Sequence, residues 1–144
     1  ARRSRDSTQA TGLVASVHMH RSLVLSCRAT MRIPLATDVQ LAEFGPEWQM
    51  SMEAKDSQDC ANGKRVSSVV HCLPELPAGN AFADPVLLCL PLPHTMRPTE
   101  VVVQQSGSVM WEPLPKDVVC TANGMACFNV GHFCQYGISF ESYE

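Results

Sequence analysis

Between Ser67 and His94 the chain reads SSVVHCLPELPAGNAFADPVLLCLPLPH, two short apolar runs held apart by chain breakers. The runs are 69–73 (VVHCL) and 86–90 (VLLCL), and Pro74, Pro77, Gly79, Asn80 and Pro85 lie between them. Runs of this length bounded by turn residues read as strands. Proline cannot donate to a ladder, so Pro91 and Pro93 end the second strand. The second run is apolar at successive positions and does not alternate, so it is expected to be covered on both faces. With ten prolines and eight glycines in 144 residues, the chain has room for many turns and few long helices.

The remaining segments extend this pattern. Residues 12–17 (GLVASV), 23–27 (LVLSC) and 31–35 (MRIPL) are short strand candidates, and alternation in the last places Met31, Ile33 and Leu35 on one face. Thr37-Asp38 reads as the cap of a short helix over Val39, Leu41, Ala42 and Phe44, ended by Gly45-Pro46. Trp48, Met50 and Met52 alternate with polar residues, which predicts a strand with one buried face. Residues 99–105 and 108–112 flank Ser106-Gly107, and residues 118–121 and 125–130 flank Asn123-Gly124, so each pair reads as a hairpin. Strand signals at such short intervals, with at most one short helix, predict an all-β antiparallel sandwich. Val70, Val86, Leu88, Leu90, Val102, Trp111, Phe128 and Val130 are the expected core.

The length fits one domain, expected over 12–144 after a disordered tail at 1–11 that carries Arg2, Arg3 and Arg5. A net charge of −3 supplies no electrostatic footprint for nucleic acid. The longest apolar run is too short to span a bilayer. No phosphate-cradling glycine loop, nucleophile elbow or metalloprotease helix motif is present, and no cofactor is called for. His18 and His20 share a strand face but lack the further ligands that zinc requires. Of the seven cysteines, Cys72, Cys89 and Cys127 lie in apolar runs and read as reduced core residues with raised pKa, while Cys60 lies in a polar loop and should react first. An odd count cannot pair completely within one chain, and with most of the cysteines read as reduced core residues the expected setting is intracellular and cytoplasmic. Cys120 and Cys127 flank the Asn123-Gly124 turn, so a disulfide between them, in a secreted domain, stays open.

Ser68, Val69, Val70, Cys72 and Pro74, then Phe82, Pro85–Leu88 and Leu90–His94, follow an order that resembles the ZU5 domain. That family is found in tight-junction scaffolds, ankyrins, netrin receptors of the UNC5 type and death-domain or inflammasome proteins. The block 128–138 (FNVGHFCQYGI) is similar to its closing strand. The likeness covers roughly residues 64 to 140. It implies a sandwich of ZU5 type and a non-enzymatic protein-interaction or scaffolding module. Such a module belongs to a larger signalling or cytoskeletal protein and binds other protein domains in cis or in trans. It also implies an alternative. In the self-cleaving members the H-F-S tripeptide is where the chain cuts itself, and His132-Phe133-Cys134 stands in that place, with a thiol for the hydroxyl. In a regular strand His132 lies roughly 6–7 Å along the chain from Cys134, too far for direct proton transfer, so the Phe133–Cys134 bond is expected to be intact unless a bulge at Gly131 intervenes.

Overall fold

The computed structural model of the protein describes residues 19–56, 58–59, 64–76, 79–92, 99–104 and 110–141. These form an all-β antiparallel sandwich with one α-helix. The first sheet has the order β1 (Met19–Val24), β2 (Thr30–Pro34), β6 (Val86–Pro91), β10 (Met125–Val130) and β9 (Val119–Ala122). The second has the order β3 (Ser51–Ala54), β5 (Lys64–Leu73), β11 (Gln135–Glu141), β7 (Thr99–Gln104) and β8 (Glu112–Pro113), with β4 (Gln58–Asp59) also on β5. The two apolar runs of the central stretch thus enter different sheets, and the proline-rich segment between them carries the chain across.

The sheets pack through their alternating inward residues. Met31, Ile33, Val86, Leu88, Leu90, Ala126, Phe128 and Val130 of the first meet Val70, Cys72, Val101, Val103, Tyr136 and Ile138 of the second. Every residue from Val86 to Leu90 is buried, as the unbroken apolar run requires. Val102 departs from expectation: it packs with Val66, Val69 and the half-buried Trp111 in a separate cluster, because Val101 and Val103 take the inward parity of β7.

Asn123 and Gly124 have φ of +55° and +75°, the pair of positive values a two-residue hairpin turn demands, and β9 and β10 pair around them. β7 and β8 also pair, but only from Glu112, and their turn lies outside the described residues. The helix, α1 (Leu35–Phe44), starts at Leu35, ahead of the expected Thr37-Asp38 cap, and ends before Gly45, whose φ of +132° suits glycine. Thr37 does not cap it. Its side chain is fully buried, donating to the Asp84 carbonyl and accepting from the Asp84 N–H at 2.9 Å. Leu35 consequently opens a helix and is exposed, so it does not share the inward face of Met31 and Ile33. Trp48 and Met50 precede β3, although Met50 is buried and Trp48 packs on the core. β1 spans Met19–Val24, and Cys27 belongs to the following turn. The strand expected at 12–17 and the expected tail lie outside the described residues, as do His18 and Cys60.

Candidate functional site

Val130 ends β10 in the first sheet, and Gln135 begins β11 in the second. Residues 131–134 make the corner between them and belong to neither strand. The reason lies in the spacing of apolar residues. Val130 and Phe133 are both buried, and a continuous strand sends residues three apart to opposite faces. The chain leaves the extended conformation at exposed Gly131-His132 and returns Phe133 to the core.

Each side of the corner is anchored. The Phe82 N–H donates to the Gly131 carbonyl at 2.7 Å, and the Phe133 ring packs edge-on to Phe82 with centroids 4.7 Å apart. The Tyr136 hydroxyl donates to the His132 carbonyl at 2.9 Å. The Cys72 N–H donates to the Cys134 carbonyl at 3.1 Å, which extends the β5 ladder one step beyond β11.

This geometry corrects the regular-strand expectation. The Cys134 sulfur lies 3.8 Å from Nδ1 of His132, within reach of a hydrogen bond to sulfur. Phe133 and Cys134 are 2% and 4% exposed, while His132 is exposed to solvent. The acidic groups nearby are held neutral. Burial pushes the Cys72 thiol up, and the adjacent Cys134 adds to the effect. Burial also pushes Tyr136 up, with Cys134 and then Cys72 contributing. Both stay protonated near neutrality, and the His132 ring is the imidazole that stands beside the Cys134 sulfur.

The structure thus brings all three expected residues together. Tyr136, Cys72 and Phe82 were not read as site residues from sequence. Tyr136 had one signal, since it lies two residues beyond Cys134 on the same parity, but the other two come from distant strands and loops. Among the cysteines expected in the core, only Cys72 packs between the sheets; Cys89 and Cys127 lie on the outward parity of the first sheet. Cys120 and Cys127 are direct partners across the hairpin, and the six described cysteines are all thiols.

His20 is engaged by Asp38 at 3.1 Å, which also pairs with Arg21 at 3.0 Å. Arg21 and Asp38 line a shallow concavity of about 290 Å³ with Leu41, Trp48 and Gln49. Among the described residues no group of three or more His, Cys, Asp or Glu is arranged to hold a metal ion, and no helix is long and apolar enough to cross a membrane. In comparison with known proteins, no family model matches the chain, and no curated protein matches it.

Proposed function

We propose that the chain is a self-processing domain of ZU5 type that cuts its own Phe133–Cys134 bond. The observation that carries the reading is the 3.8 Å approach of His132 Nδ1 to Cys134 Sγ in a segment outside the strands. In the reaction, His132 takes the thiol proton and the sulfur attacks the Phe133 carbonyl carbon. The Phe133–Cys134 C–N bond breaks, and His132 returns the proton to the departing amine. The Phe133 acyl group is then a thioester on Cys134. Water hydrolyses it to the Phe133 carboxylate and restores the thiol. Tyr136 and Cys72 position the reacting segment through its flanking carbonyls.

The mass of the purified full chain tests this. A fragment starting at Cys134 is expected, with release hastened by hydroxylamine, which intercepts a thioester. Cys134→Ala should abolish the cut and Cys134→Ser should keep it. His132→Ala should slow it by about 10²–10⁴-fold, the usual worth of positioned proton transfer. A chain that stays intact on prolonged incubation, with and without hydroxylamine, overturns the reading.

A second reading, an interaction module without chemistry, draws on α1. Leu35, Val39 and Phe44 expose apolar surface there, at 50%, 48% and 41%. Among the described residues β1 ends the first sheet's strand order close by, and strand addition is the mode by which such a sheet takes a peptide partner. An intact mass leaves this as the function of the domain.

A further inference from the structure

The outward face of the first sheet carries a row of residues in register across five strands. Val24 faces Thr30, Thr30 faces Cys89, Cys89 faces Cys127, and Cys127 faces Cys120. Three thiols therefore sit side by side on β6, β10 and β9. Residues directly opposite in antiparallel strands have Cα atoms about 4.5–5.5 Å apart, inside the Cα range of a disulfide, so each neighbouring pair is placed to form one with local adjustment of the side chains.

We propose that Cys89, Cys127 and Cys120 form a peroxide-reactive thiol site, in which Cys89 is oxidised, Cys127 resolves it, and Cys120 takes up the resulting bond. The neighbours of Cys89 assign its role. Cys127 and Thr30 stand directly opposite it on the two flanking strands, and Arg32 lies two residues along β2 from Thr30. These neighbours, Cys127 foremost, bring the thiol down to about 7 against the effect of burial. Cys127 is pushed up, first by its interaction with Cys89 and then by burial. Cys89 is thus the sulfur of the pair that ionises first.

Burial selects the oxidant. Cys89 is only 7% exposed, which suits hydrogen peroxide better than a bulky disulfide, whereas Cys127 and Cys120 are half-buried. The Cys89 thiolate attacks one peroxide oxygen and the O–O bond breaks. Cys89 becomes a sulfenic acid, and the expelled hydroxide takes up a proton to leave as water. The Cys127 sulfur, losing its proton, attacks the Cys89 sulfur, forming a disulfide and releasing a second water. Two thiols are oxidised and one peroxide is reduced. The Cys120 thiolate can then attack Cys127, moving the bond to Cys120–Cys127 and returning Cys89 to its thiolate. The oxidising equivalent thereby passes from the most buried sulfur to the sheet edge, where an external dithiol reaches it.

The test is peptide mapping of the reduced full chain after hydrogen peroxide, with remaining thiols alkylated. Peptides joined through Cys127 to Cys89 or Cys120 are expected, and a dithiol should reverse them. In Cys127→Ser, dimedone should capture a sulfenic acid at Cys89, because the resolving thiol is gone. The proposal is overturned if peroxide oxidises exposed Cys27 while Cys89, Cys120 and Cys127 all remain alkylatable, or if Cys127→Ser yields no dimedone adduct at Cys89.

Discussion

Leu88 and Cys89 are neighbours that face opposite sides of one strand, and the difference decides what each does. Leu88 is fully buried between the sheets, opposite Phe128 on β10 and Met31 on β2. Leu88→Ala should cost about 2–5 kcal/mol, as a lost transfer term and an imperfectly closed cavity together predict; chemical denaturation at an unchanged slope measures it. Cys89 instead looks outward to Cys127, Thr30 and Arg32. Its lowered pKa means that the thiolate fraction grows as pH rises through about 7. Alkylation of Cys89 by iodoacetamide, followed site by site by mass spectrometry, should therefore show an inflection near 7, while Cys72 stays a slow thiol over the same window. An inflection at Cys89 near the ordinary thiol value would remove the anion-stabilising role of its neighbours. Leu88 was legible in the sequence because any strand through 86–90 has to bury it. The chemistry of Cys89 was not, because an unbroken apolar run does not say which residues face inward, and its three partners come from two other strands through register.

At the scale of elements, short-range signals were legible and long-range ones were not. The β9–β10 turn is written in two residues, Asn123 and Gly124, and forms as they dictate. Thr37 resembles a helix cap in isolation, yet its hydroxyl serves the segment leading into β6. Thr37→Val keeps the shape but strips both hydrogen bonds from Asp84, leaving its N–H and carbonyl to find other partners. A loss of about 0.5–1.5 kcal/mol per hydrogen bond is expected, read as a lower denaturation midpoint; a midpoint equal to the parent's would show that water replaces the hydroxyl. The corner at 131–134 was legible in part. Its departure from strand geometry is foreshadowed by the opposite parity of Val130 and Phe133 about Gly131, whereas its anchors from Phe82 and Cys72 appear only when two sheets are present.

At the scale of the molecule, β11 is flanked by β5 on one side and β7 on the other. A cut at Phe133–Cys134 would sever its covalent tie to β10 and leave both ladders in place. The cleaved pieces should therefore co-elute in native size-exclusion chromatography and separate only in denaturant; separation under native conditions would mean that the ladders do not hold the fragment. The same placement bears on synthesis at the ribosome. β11 follows the other ten described strands in the chain, yet it fills the middle of its sheet. Until it emerges, β5 and β7 face a gap with open edges, the arrangement that invites pairing with other chains. A chain ended after Val130 should accordingly be degraded rapidly in pulse proteolysis while the full chain resists. Cys134 meets the Cys72 N–H only once β11 is seated, so the proposed cut would have to wait for that strand, and a cleaved chain would be a covalent record that β11 had gone in.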